Sequence, residues 1–307
     1  MDAANLTSMS DDEKAVVYNY TQLESPLAAV TAGLLKHGKD ASNTTLGELE
    51  GALQFHWGGA HSTLRLFEEL DIQHGDRVLD AGCGLGGPAL LCAKALGCQV
   101  TGIDLTPSFI SAANDIKTWP LIDRGHPGTV HFEIGNISNM ETVETESMDK
   151  AYMIHVGQNL QDDVTSGLAT EIYRILEPGG CFGIFDPVLG EGDIPLKFPL
   201  PFATTRHDHN LRKTSDYVSI FESKGFALLR STDLSAVPNA IAPQTPRMIE
   251  VSTRFVSGDE NPPLTLAHVM GQSWDMRRKN FATALLKTGT LALRMMIFRK
   301  STSIGRL

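Results

Sequence analysis

The chain is short of positive charge, of cysteine and of long apolar runs, and each shortage removes a class of function. Twenty-six Lys and Arg stand against 36 Asp and Glu, giving a formal net charge of -10. A broad nucleic-acid surface needs clustered cations to displace counterions, so DNA and RNA are not expected partners. One basic run occurs late, at Arg277, Arg278 and Lys279 and again at Arg294, Arg299 and Lys300. Apolar residues interrupt it, and it reads as a solvated helix face. The cysteines Cys83, Cys92, Cys98 and Cys181 form no CxxC pair and show no zinc-like spacing with histidine. A reduced, cytoplasmic protein with no metal site is the expectation. No uninterrupted apolar run reaches the roughly 18 to 20 residues of a spanning helix, and no signal-peptide pattern opens the chain, so integral membrane association is not expected either. The final Gly305-Arg306-Leu307 echoes the Ser-Lys-Leu peroxisomal address only in part.

What is present is an alternation of strands and helices. Ser10, Asp11 and Asp12 read as an N-cap for a helical stretch running to about Lys36, followed by short helices over Leu46 to Leu53 and Ser62 to Leu70. The regular part begins at Arg77-Val78-Leu79-Asp80, a short buried strand. A glycine turn follows, then a helix over Pro88 to Leu96 and a strand over Gln99 to Ile103. Further helices are predicted over 108–118, 164–176 and 215–224, with strands over 129–134, 150–154, 180–185 and 227–231. Such alternation predicts an α/β doubly wound, mostly parallel sheet with ligands at the carboxyl ends of its strands. Prolines at 238, 243, 246, 262 and 263 break that pattern, and helical stretches near Met248 and Ala282 fit no sheet strand. Thr290 to Phe298 is again β-competent and can return beside the Ala227 strand. The reading is an N-terminal helical cap (1–70), a core (71–232), an inserted lid (233–288) and a final strand and tail of the core (289–307).

Asp80-Ala81-Gly82-Cys83-Gly84-Leu85-Gly86-Gly87 satisfies GxGxxG through Gly82, Gly84 and Gly87, after a strand and before a helix. Asp104 ends the next strand, about 20 residues on, where a carboxylate can accept two hydrogen bonds from a ribose diol. Both features serve a dinucleotide or a sulfonium cofactor. Asp80 directly before the glycines, and Leu176-Glu177-Pro178-Gly179-Gly180 before a late strand, are unusual for nicotinamide enzymes and favour S-adenosylmethionine.

The stretches VLDAGCGLGG, VTGIDLTPSF and LEPGGCFGIFD together resemble the successive motifs of class I S-adenosylmethionine-dependent methyltransferases. From QFHWGG through IHVGQN to FPLPFA, about Gln54 to Phe202, the chain resembles the small-molecule branch of sarcosine/dimethylglycine-, tocopherol- and sterol-type enzymes. The resemblance implies the Rossmann-like methyltransferase fold and cofactor contacts at Gly82, Gly84, Asp104 and Leu105. It puts adenine near Asn136 and Ile137, and the methyl end near His155. Two positions depart from the pattern: Asn136 stands where an acid commonly accepts from the adenine amino group, and Gln158 stands where an apolar residue is usual.

Methyl transfer is an in-line displacement that gains chiefly from alignment and electrostatics, and only some acceptors need a base. His155, at the end of the fourth strand, is the first candidate base, with a structural histidine as its alternative. His56 and Trp57 can cover the cofactor or simply pack. Tyr18 and Tyr20 are candidates for closing the site, or ordinary helix packing. His207-Asp208-His209 reads as a solvated loop rather than a metal site. Phe198 and Phe202, with the resemblance, point to an apolar acceptor pocket that also includes His56 and Gln158; Met248, Phe255, Met270, Trp274 and Phe281 strengthen that reading, with packing of the lid against the domain as their default explanation. The leading expectation is an S-adenosylmethionine-dependent methyltransferase acting on an apolar or partly apolar small molecule in specialised metabolism. A cyclase or pericyclase that binds the cofactor without transferring methyl is the alternative, ahead of a noncatalytic cofactor-binding subunit.

Overall fold

A computed structural model describes Lys14, Val17 and residues 25–121, 126, 128–235, 241–256, 263–271 and 273–302. The calls for Ser10, Asp11, Asp12, Tyr18, Tyr20, Pro238, Pro262 and the last three residues lie outside them. Helix α1, Pro26–Leu35, starts where Ser25 accepts a hydrogen bond from the Ala28 N–H and Pro26 pre-sets the first turn. The sequence pattern had run one helical stretch through this point. Helix α2, Leu46–Leu53, carries a reciprocal Thr45/Glu48 capping box, and α3, Gly59–Glu69, follows it.

The sheet then builds as β1 (Arg77–Ala81), α4 (Gly87–Leu96), β2 (Gln99–Asp104), α5 (Pro107–Ile116), β3 (Thr129–Ile134), β4 (Met148–Ile154), α6 (Asp162–Ile175) and β5 (Leu176–Leu189). Helix α7 (Thr214–Ser223) and β6 (Phe226–Asp233) follow, and β7 (Leu291–Lys300) closes the order β3-β2-β1-β4-β5-β7-β6. The first five strands are parallel, whereas β7 runs antiparallel to both β5 and β6. Thus the segment around Thr290 does return beside the Ala227 strand, Ala227 facing Arg299.

Period-two alternation divides the apolar residues between two faces. Val78, Tyr152, Phe185 and Ile297 pack with α3, α4 and α5, while Leu79, Met153, Ile184 and Phe298 pack with α6 and α7. Between β6 and β7, α8 (Pro246–Phe255) packs on α3 and α4. Helix α9 (Leu266–Met270) packs on α1 and α2, and α10 (Trp274–Leu286) lies against α9 and β7. Two backbones meet at Gly51, where any Cβ would collide with the Leu264 carbonyl.

The basic run is not one solvated face. Arg277 and Lys300 are buried: Arg277 donates to the Leu200 carbonyl at 2.7 Å, and Lys300 to the Leu176 carbonyl at 2.7 Å and the Glu146 carboxylate at 3.1 Å. Arg294 lies on β7 and pairs with Asp233 at 3.1 Å. Only Arg278, Lys279 and Arg299 are exposed, because the other cations find acceptors at the ends of neighbouring elements. Among the described residues no helix is long and apolar enough to cross a membrane.

Candidate active site

Strand order reverses between β1 and β4, and the site lies where an open parallel sheet places ligands, at the carboxyl ends of the strands beside that reversal. A cavity of about 260 Å³ is floored by the glycine turn after β1 and walled by Asp104, Leu105 and Phe109 after β2, by Asn136 and Ile137 after β3, and by His155 and Val156 after β4. Gly82 and Gly84 adopt φ of +81° and +54°, and a Cβ on Gly82 would stand 2.5 Å from the Val156 side chain. Backbone conformation thus favours glycine at both positions, and space requires it at Gly82.

Asp104 is pre-oriented: one carboxylate oxygen accepts from the Gly84 N–H at 2.8 Å and the other from the Thr106 N–H at 2.9 Å. Burial pushes its pKa up, against the pull of those donors. Asp80 lies beneath the turn, and burial pushes it up to about 8. Asn136 lines the cavity, but its side-chain oxygen already accepts from the Ser138 N–H at 2.9 Å and the Ser138 hydroxyl at 2.8 Å. Those two bonds use both lone pairs in a local turn, so this oxygen has no lone pair left for an adenine amino group.

A second cavity, of about 460 Å³, is lined by Trp57, Pro201, Leu264, Leu266, Trp274 and Phe281, with Glu50, His61 and Arg278 among its polar residues. Phe55, His56 and His155 line both cavities. The rings of His56 and His155 are 5.9 Å apart and both approach Phe185. Burial lowers the His56 pKa to about 4 and holds His155 well below its ordinary value, with the neighbouring His56 lowering it further. Both rings are neutral at physiological pH. His56 Nε2 is within 2.9 Å of both the Gly59 carbonyl and the Thr63 hydroxyl, whereas among the described residues nothing partners the buried Nε2 of His155.

His155 holds a left-handed backbone, φ +54°, which costs about 1–2 kcal/mol in a residue with a Cβ. Hydrogen bonds hold it there. The His155 N–H donates to the Phe185 carbonyl at 2.8 Å, and its own carbonyl accepts from the Gln158 amide at 2.6 Å. Beneath the loop, the buried Asp186 carboxylate accepts from the N–H groups of Val156 at 2.9 Å and Gly157 at 3.0 Å and from the Tyr217 hydroxyl at 2.9 Å. Burial still pushes Asp186 up to about 7. Arg212, also buried, ties the Gly157 and Leu160 carbonyls to Asp162.

Of the residues read from sequence, Gly82, Gly84, Asp104, Leu105, Asn136, Ile137, His155 and His56 meet around the first cavity. Gln158 and Phe202 border a gap of about 20 Å³ beside His155. Phe198 lines none of these spaces and stacks on the half-buried His209 at 5.6 Å. Among the described residues no group of three or more His, Cys, Asp or Glu side chains is placed to hold a metal. Sequence reasoning missed the Asp186–Tyr217 pair, although Asp186 ends the quoted LEPGGCFGIFD stretch.

Residues 78–180 match the family model described as a methyltransferase domain. The methyltransferase GfsG of Streptomyces halstedii is 29% identical over 180 residues, 58% of this chain and 62% of that protein. The sterol 24-C-methyltransferase ERG6A of Gibberella zeae is 28% identical over 181 residues, 57% of this chain and 46% of that one. The chain thus spans less than two thirds of the length of these curated relatives. Among solved structures, the [4+2]-cyclase SpnF superposes with a TM-score of 0.60 at 19% identity, covering 96% of this chain and 98% of its own. The geranyl diphosphate C-methyltransferase of Streptomyces coelicolor A3(2), solved with S-adenosyl-L-homocysteine, gives 0.59 at 14% identity, covering 95% and 98%. Residues 78–180 thus match a methyltransferase domain, and the chain has the Rossmann-like fold that these methyltransferase and cyclase structures share.

Proposed function

We propose that the protein is an S-adenosylmethionine-dependent methyltransferase acting on an apolar or partly apolar small molecule, in the cytoplasm and in specialised metabolism. The observation that carries this reading is the junction of two cavities at Phe55, His56 and His155, one bounded by the glycine turn and Asp104 and the other by aromatic and aliphatic side chains. The residues of the first cavity fit the cofactor. The glycine turn admits close backbone approach, the fixed Asp104 carboxylate suits a ribose diol, and Phe109 and Ile137 offer apolar flanks. Bound there, S-adenosylmethionine supplies a methyl group activated by its sulfonium.

The protein's own share is alignment, exclusion of water and handling of a proton. Trp57, Leu264, Leu266, Trp274 and Phe281 hold an apolar acceptor against the junction. Among these apolar walls each polar contact gains strength. The unpartnered His155 Nε2 is neutral, and it accepts a proton from a hydroxyl or N–H acceptor as the acceptor becomes nucleophilic. The helices between β6 and β7 act as a lid, with Leu264 and Leu266 covering the second cavity.

Incubating purified protein with methyl-labelled cofactor and a panel of apolar hydroxyl, amine and carbon acceptors tests the reading. Label is expected in a product heavier than its acceptor by one labelled methyl group less the hydrogen that it replaces. A product isomerised at unchanged mass would replace this reading with the cyclase alternative.

A further inference from the structure

We infer that Gln158 selects acceptors that carry a second hydrogen-bond donor, a hydroxyl or N–H group other than the atom to be methylated. The inference rests on the acceptor-cavity reading above and adds the chemistry that the cavity recognises. Gln158 is only 1% exposed, in the short turn between β4 and α6. Its side-chain nitrogen donates to the His155 carbonyl at 2.6 Å. That contact fixes the amide's orientation, because the flipped form would set two oxygens against each other. The atom left over is an oxygen, which can only accept. It is buried, and among the described residues no donor reaches it.

Gln158 lines a space that has the size and the surroundings of a ligand subsite. The gap beside Gln158 measures about 20 Å³, enough for about one small polar group. Phe55, His155, Pro201, Leu266 and Trp274 wall both this gap and the 460 Å³ acceptor cavity, so the gap adjoins that cavity as a recess beside it. An apolar residue of similar length would fill the recess without burying an unpaired carbonyl, and that burial is unfavourable. The oxygen is compensated when a donor enters with the acceptor. A site built in this way disfavours the analogue lacking that donor, which would leave the carbonyl unpaired again. His155 lines the same gap, so on this reading the group that Gln158 selects is a neighbour of the reacting atom. Vicinal dihydroxy aromatics and amino alcohols on an apolar frame have this pattern.

Calorimetric titration of the full chain with naphthalene-2,3-diol and with 2-naphthol, in the presence and absence of S-adenosylhomocysteine, separates the two donor patterns. The wild-type protein is expected to bind the diol at least about tenfold more tightly, a difference worth about 1.4 kcal/mol. In Gln158→Leu, and in the unbranched Gln158→Met, the two affinities are expected to converge, and S-adenosylhomocysteine affinity measured beside them reports the effect of losing the amide contact to the His155 carbonyl. Equal affinities in the wild-type protein, binding of neither probe, or a preference that survives in both variants would overturn the inference. Failure of S-adenosylhomocysteine to bind the wild-type protein is a separate result, and it would overturn the cofactor reading instead.

Discussion

Replacing Tyr217 by Phe deletes one hydroxyl from the clamp under the His155 loop and leaves the ring, fully buried in α7, in place. The lost bond runs 2.9 Å to Asp186. Its worth depends on the charge of that carboxyl: about 0.5–1.5 kcal/mol when neutral and about 1.5–3 kcal/mol when ionised. Burial pushes Asp186 from its ordinary 3.8 up to about 7, so the folded state keeps a proton that the unfolded chain has already lost at neutral pH. Stability from this group is therefore full below about pH 4 and is lost as pH rises through 7. Tyr217 favours the anion, so its removal raises Asp186 further and steepens that loss. The expected penalty for Tyr217→Phe is about 1 kcal/mol at pH 5.5 and about 2 kcal/mol at pH 8.5, a difference of roughly one pKa unit. Urea-unfolding free energies of wild type and variant at the two pH values read it directly. A penalty that is the same at both, or larger at pH 5.5, would refute the clamp as described.

Asp104→Ala removes the proposed diol acceptor and frees the Gly84 and Thr106 N–H groups, and calorimetry should show cofactor affinity weakened by about 1–3 kcal/mol; unchanged affinity rejects that role. Gly51→Ala drives a Cβ into the Leu264 carbonyl, and Leu264 lines only the second of the two large cavities. Acceptor KM should rise with cofactor affinity preserved, as measured by steady-state kinetics beside calorimetry. Because burial holds both histidines neutral, His56 down to about 4, the pH profile of kcat/KM should show no acid limb near 6.5. A limb there would mean that the base is an ordinary solvated histidine.

The sheet was legible because its strands are short apolar runs bounded by glycine and proline, and because the stretch near Thr290 keeps its alternation even after a long helical excursion. The cofactor side was legible for a related reason: Gly82, Gly84 and Asp104 act through backbone conformation and one carboxylate, features that occur at fixed spacing. The rest depends on partners far apart in sequence. Nothing local announces that Tyr217 reaches Asp186, or that Arg277 turns inward to the Leu200 carbonyl. Cations in a polar stretch ordinarily face water, and only the packed structure supplies the buried acceptor. Asn136 shows the converse, since its carbonyl suits an adenine on paper yet closes a turn onto Ser138. The five-residue α9 escaped notice because it is too short to show a helical period and follows two prolines.

The central claim is that the cavity between the glycine turn and His155 holds S-adenosylmethionine, and a calorimetric titration of the purified chain with that cofactor tests it most directly. One site per chain is predicted, with affinity weakened in Asp104→Ala and in Gly82→Ala, whose φ of +81° and crowding against Val156 leave no room for a methyl group. Absence of binding, or binding indifferent to both substitutions, would contradict it.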